Sequence, residues 1–394
     1  MADYYELNTD LVPDTQAEEN RVVNKALTKL PAPYLSGLKL KADIKLGELT
    51  LNTIDENNVV WVCTDIDGWW NLPDPELPDL PRGWGDGSYD ARGRYAARIL
   101  TLNGVFMTQE PSQVEAARQK LFKAIDLVYE GGDLVVDESP VVKTAFVRLQ
   151  GRPQISTVSA RGRTEFSIGL KAPDPIKYEH LTPVTATPTG AAPSTPSSGS
   201  VTYTTSATHG FLVGQYVTIL GSSVAGYNGT FLVNAVTDTT FIVSNATTGT
   251  ETWSDASAVM YEDGYRVRPI AAGGNAAFVN AGTTKSPIVI ELTGPIAVGV
   301  TVVNTIDYAS GYGVDTTETI TITTAVPSGS TLEIDTLNRE AILVTGDEVE
   351  NGRSYLSTLS DWIYIQPSFK ATNTIALSGS TGSAKVFYRS GWIG

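Results

Sequence analysis

The chain is poor in the residues on which most enzyme chemistry depends. It has one cysteine, Cys63, and two histidines, His180 and His209, in 394 residues. A single thiol excludes an intrachain disulfide and a cysteine zinc cluster. Cation is scarce as well, with 28 Lys and Arg against 43 Asp and Glu and a formal charge of -15. Nucleic-acid binding relies on Lys and Arg displacing counterions from phosphates, so DNA and RNA are not expected partners. No apolar run approaches the roughly 18 residues that would span a bilayer. The start, Met1-Ala-Asp-Tyr-Tyr-Glu-Leu7, has neither a basic nor an apolar leader region, so synthesis and folding in the cytoplasm of the producing cell are expected.

What is abundant is Thr, Ser, Gly and Val, a bias toward strands and turns. With 41% hydrophobic and 18% charged residues the chain reads as globular, and its length suggests two or three cores. The expected fold class is mainly β. Alternation from about Leu38 to Thr64 predicts paired strands, with Trp61 and Cys63 on one side and Val60 and Val62 on the other. Cys63 then reads as a small buried hydrophobe. The one convincing helix follows Pro111. Ser112 and Glu115 have capping-box spacing, Val114, Ala117, Leu121, Ile125 and Val128 form a stripe, and Gly131-Gly132 supplies the stop. Strands are expected again around 134–136, 144–149 and 164–170.

Between them, residues 65–89 carry prolines and glycines that predict a long loop without regular ladders. Trp69, Trp70 and Trp84 lie in it beside Arg82. Exposed tryptophans favour a partner surface, so these four residues are the candidate interface. The competing reading is a lid folded back on its own sheet.

Residues 181–200 have the Thr, Pro, Ala and Ser composition of a solvated linker. Residues 201–264 lack Lys and Arg altogether and carry short strands with turns, which predicts a small β-barrel or sandwich. Residues 265–394 add strands near 288–292, 319–323, 331–334, 341–344, 373–377 and 385–389, as in a β-sandwich.

Catalytic and metal sites are expected to be absent. Asp65-Ile-Asp67-Gly68 opens like a calcium loop and Glu76 stands at its twelfth position, but prolines interrupt the approach. His180 and His209 lack the strand-to-helix elbow of a nucleophile site. Tyr227 and Trp253 are the candidate glycan contacts of the middle block, against a core-packing alternative.

Several segments carry a resemblance when read together. They are Gly85-Asp-Gly-Ser-Tyr89, Gly93-Arg-Tyr-Ala-Ala-Arg-Ile-Leu-Thr-Leu-Asn-Gly-Val-Phe106, Phe166-Ser-Ile-Gly-Leu-Lys-Ala-Pro-Asp-Pro-Ile-Lys-Tyr178, Gly329-Ser-Thr-Leu-Glu-Ile-Asp335 with Arg339, Asp361-Trp362 ahead of Pro367, and Tyr388-Arg-Ser-Gly-Trp392. In this order they resemble the distal tail proteins of siphophages, especially those of actinobacterial hosts. The resemblance implies an N-terminal belt domain over 1–180 that forms a ring, usually a hexamer, and a galectin-like sandwich over 265–394. It also implies a virion tail-tip location, the tail tube protein and the tail hub as partners, and no enzymatic activity or cofactor.

Two departures from that pattern stand out. Residues 181–264 are inserted between the two expected domains, and Pro367-Ser-Phe-Lys-Ala-Thr-Asn373 is longer than the expected turn. A carbohydrate-binding protein that recognises host surface glycan through the sandwich or the insert is the alternative function.

Overall fold

Alternating apolar residues on the first strands turn one face inward and set the layout of the first unit. In a computed structural model the described residues are 43–394, apart from 78–79, 85, 87, 90–92, 109, 111, 157–162, 182–184, 194–198, 212, 214, 223, 249, 253–256, 260–263 and 380. Leu38, Leu40 and Ala42 of the first expected strand lie outside them. The described residues up to His180, with Ile393 and Gly394, form one unit, and Leu181–Trp392 form a second.

In the first unit the antiparallel strand order is Leu49–Leu51, Ile44–Leu46, Gly132–Asp137, Val142–Leu149, Arg163–Ala172, Arg98–Met107, Val60–Asp67 and Thr53–Ile54. Trp61 and Phe106 are register partners on the buried face, with ring centroids 5.1 Å apart. The helix Gln113–Glu130 buries Val114, Ala117, Leu121, Ala124, Ile125 and Val128, the expected stripe plus one alanine. It stops at Gly131, whose φ of 122° suits glycine and where a Cβ would run into the Phe146 ring. The capping box is not formed. Ser112 is itself helical and turns its hydroxyl to Glu110 at 3.3 Å, while Gln113 Oε1 accepts the Glu110 N–H.

The expected loop 65–89 is also more ordered than its composition suggests. The Val60–Asp67 strand runs through Asp65 and Asp67, and Pro75–Glu76 pairs with Arg94–Tyr95 while Leu80–Pro81 pairs with Ser88–Tyr89. Proline is tolerated because these ladders are two residues long, which leaves room for a missing N–H.

In the second unit an eight-stranded antiparallel sheet joins Thr185–Ala186, Ser257–Val259, Tyr216–Leu220, Gly229–Val236, Thr240–Ser244, Ser200–Thr205, Pro188–Pro193 and Glu251–Thr252, in that order. The expected linker is therefore corrected: residues 185–186 and 188–193 are strands of this sheet. Pro188–Pro193 has proline only at its ends, and Gly190 and Ala191 between them pair on both sides. Tyr203, Phe211, Val217, Tyr227 and Phe241 belong to its core.

Residues 266–388 form two further antiparallel sheets around one core. Ile288, Ile290, Leu332 and Ile334 come from one sheet, and Val302, Ile320, Ile375 and Leu377 from the other. Each strand expected from the sequence here is present within a few residues of its expected bounds.

Candidate interface in the tryptophan loop

The Val60–Asp67 strand has a register shift between Cys63 and Asp65, so one residue is left over at Thr64. Such a bulge sharpens the local twist and re-aims the rest of the strand. Gly68, with φ 81°, then packs against the Ile99 carbonyl so tightly that no Cβ would fit. This approach turns the chain inward and delivers Trp69 to the core.

Trp69 is fully buried, at 0% exposure. Its indole N–H donates to Glu138 Oε1 at 2.7 Å. Lys177 Nζ donates to the Trp69 carbonyl at 2.9 Å and stands 4.8 Å from the ring centroid. The other Glu138 oxygen accepts from Lys143 Nζ at 2.6 Å, and Lys177 is 3.6 Å from Oε1. Arg98 completes the anchor by donating to the carbonyls of Gly68, Trp69, Asn71, Pro175 and Ile393. A guanidinium suits this task because its planar fork presents five donors.

Crowding sets the electrostatics of the cluster. Burial pushes the Glu138 carboxyl up, but hydrogen bonds from Lys143 and Trp69 and the charge of Lys177 outweigh it and hold the group below its ordinary value. Lys177 is brought down to about 8, first by burial and then by Lys143 and Arg98, with Glu138 opposing. Three cations surround one carboxylate, each of them hydrogen-bonded, and together they hold residues 68–71 in place.

Beyond the anchor the chain turns outward. Trp70 is 46% exposed, Leu72 and Leu77 are exposed, and Trp84 is 98% exposed. Arg82 is also exposed. Arg94 bonds Glu76 at 2.7 Å across the short ladder. The four interface candidates thus separate: Trp70, Arg82 and Trp84 are at the surface, while Trp69 is corrected to an anchor. The lid reading holds for Trp69 and not for Trp84.

The remaining candidates divide in the same way. Tyr227 is fully buried and its carbonyl accepts the Tyr203 hydroxyl at 2.9 Å, which removes it as a glycan contact. Trp253 lies outside the described residues. Cys63 is buried, and burial first of all pushes its thiol up to about 12, in keeping with a packed hydrophobe. His209 Nδ1 accepts the Phe211 N–H at 2.9 Å and its Nε2 pairs with the Thr240 carbonyl at 3.0 Å, so both ring nitrogens serve the fold. Asp65 and Asp67 pair along a strand with Asn103 and Thr101 and do not form a ligand loop. Among the described residues no three His, Cys, Asp or Glu side chains cluster as metal ligands, and no helix is long and apolar enough to cross a membrane.

The anchor itself escaped the residue-level reading. Arg98 and Lys177 both lie inside segments that carry the family resemblance, and that was the available signal. Glu138 had none.

Comparison with solved structures returns phage proteins. The chain is similar to the SPP1 Dit protein, described as a paradigm of the hub adsorption apparatus in phages infecting Gram-positive hosts. The TM-score is 0.45 with 10% identity over 89% of this chain and 98% of that one. It is also similar to chains of the phage P2 baseplate in its activated conformation with calcium, at TM-score 0.37 and 9% identity over 88% and 97% of the two chains. The strontium form of that baseplate gives 0.34 and 10% over the same shares. No family profile and no curated protein matches the sequence.

Proposed function

We propose that this chain is a structural, non-enzymatic protein of a phage tail tip, which closes into a ring between the tail tube and the tail hub and uses the tryptophan loop as its subunit contact. The observation that carries the reading is the contrast within that loop. Its base is fixed by Trp69, Arg98, Glu138 and Lys177, while Trp70, Leu72, Leu77 and Trp84 stay exposed. Fixing the base before contact reduces the ordering entropy that association must overcome.

The magnitude supports a contact. A large aromatic side chain buries roughly 150–250 Å², so the four exposed residues offer on the order of 400 Å². At about 25 cal/mol per Å² their burial yields roughly 10 kcal/mol before the costs of association. A hexamer is the expected stoichiometry from the sequence resemblance, and ring closure would also pair or cover exposed strand edges.

The test is a Trp70→Ser/Trp84→Ser double variant compared with the parent by multi-angle light scattering at micromolar concentration. Loss of the assembled species with an unchanged thermal melt supports the reading. Unchanged assembly places the subunit contact elsewhere. The carbohydrate-binding alternative loses its buried candidate, Tyr227, and among the described residues no observation in the middle sheet favours it over assembly.

A further inference from the structure

A closed ring of more than two identical subunits is built from heterologous contacts, in which one surface of a subunit meets a different surface of the next. The tryptophan loop offers one such surface, and the outer face of the first unit's sheet has the features of the other. Lys171 is the register partner of both Arg148 and Ile99, so these three side chains form one row across three neighbouring strands. The row faces away from the core, because the adjoining Leu100, Val147 and Leu170 point into it. Phe146 is two residues from Arg148 on the same side of its strand, with the Arg148 guanidinium 5.9 Å from its ring centroid. All four side chains are exposed, Ile99 at 51% and Phe146 at 48%.

The cations of this face lack carboxylate partners. Neither Arg148 nor Lys171 has an ion pair among the described residues, although acids outnumber bases in the chain by 43 to 28. Asp133, the exposed register partner of Phe146, is a single acid beside two cations. The tryptophan loop is complementary in both respects. It exposes Trp70, Leu72, Leu77 and Trp84, and its sequence holds Asp74, Glu76, Asp79 and Asp86 against Arg82. Glu76 is taken by Arg94, while the exposed Asp74 and Asp86 have no ion pair among the described residues. Tryptophan faces also attract a cation brought within about 6 Å.

We propose that the tryptophan loop of one copy docks on this sheet face of a second copy. Ile99 and Phe146 pack on the loop's apolar side chains, and Arg148 and Lys171 meet its indole rings and the carboxylates of Asp74 and Asp86. The inference rests on the ring reading and adds to it the surface that receives the loop. Charge decides against the other exposed apolar surface of the unit. On the helix Phe122 and Tyr129 are 49% and 68% exposed, but Asp126 stands one turn from each and Glu130 follows Tyr129, so an acidic loop would meet like charge there. On the sheet face the aliphatic stems of Arg148 and Lys171 extend the apolar area that Ile99 and Phe146 offer.

The test is made on the full chain by sedimentation velocity at micromolar concentration. Arg148→Glu/Lys171→Glu should shift the assembled species to monomer with an unchanged thermal melt. Adding Asp74→Lys/Asp86→Lys to the same chain exchanges the signs across the contact and should restore the assembled species. Should the reversal lower the melt, Arg148→Gln/Lys171→Gln carries the comparison: assembly of the parent should weaken with added salt, and the residual assembly of this variant should not. A reversed face that assembles like the parent, while the Trp70→Ser/Trp84→Ser chain is monomeric, overturns the inference and leaves the loop as the ring contact. A reversed face that is monomeric and is not restored by the loop lysines overturns the loop as its occupant. Assembly that survives the tryptophan changes overturns the loop contact on which the inference rests, and a parent that is monomeric throughout overturns both.

Discussion

Replacing Glu138 with Gln tests whether the buried anchor holds the tryptophan loop as described. Gln is nearly isosteric, and its amide oxygen still accepts the Trp69 indole N–H, so the change isolates the loss of charge. What remains is Lys177, fully buried, and Lys143, largely buried, with their shared carboxylate gone. Removing one partner of a buried pair typically costs about 3–5 kcal/mol. Residual solvent access at Glu138 places the expected loss near the lower end, about 3 kcal/mol. The lone cysteine supplies the assay. Cys63 shares a core with Trp69 and is shielded from reagents, so its labelling rate by a thiol probe reports the opening of that core alone. A loss of about 3 kcal/mol corresponds to labelling roughly 100-fold faster. Adding Lys177→Met should recover much of the loss, because it removes the unpaired buried ammonium. A Glu138→Gln rate within about threefold of the parent, or no recovery in the double variant, would refute the anchor as an electrostatic cluster.

The same contacts set further expectations. Gly131→Ala should destabilise the first unit by at least about 1–2 kcal/mol in chemical denaturation, through both its positive φ and the Phe146 ring. Glu138 has a lowered folded pKa, so its stabilising contribution is present above the ordinary carboxylate value of 4.5 and fades as pH falls through the lower folded value. Lys177 acts with the opposite sense. Between its folded value of about 8 and its ordinary 10.5 the unfolded chain holds more protons, so this group makes stability rise with pH across that window. Urea midpoints measured from pH 3 to 10.5 check both, and a flat profile would argue against them. A fragment spanning 185–264 should give a cooperative melt, whereas 201–264 should not, because it lacks the strand that pairs with both Ser200–Thr205 and Glu251–Thr252.

Periodic features were legible in the sequence and tertiary ones were not. The helix stripe and the strands of the last domain repeat at their own spacing, so each segment announces its buried face without reference to the rest of the chain. Trp69 and Trp70 are neighbours of the same type, and no local rule separates them. Their fates differ because Glu138, 69 residues away in sequence, receives one indole and not the other. Residues 188–193 read as linker because Pro, Gly and Ala carry little β propensity. They become a strand because two neighbours supply ladders at Gly190 and Ala191, with the prolines left at the ends. Tyr227 failed as a surface candidate for a related reason: the Tyr203 ring, brought alongside it by the sheet, packs edge to face with it at 6.1 Å.

The proposed closure of the chain into a ring is tested most directly by the mass of the purified full chain in sedimentation velocity at micromolar concentration, with negative-stain images of the same fraction. The account predicts a discrete species of about six times the monomer mass with a central opening, disrupted when Trp70 and Trp84 are both replaced by Ser. A strictly monomeric chain across that concentration range, with no closed particles on the grid, would contradict it.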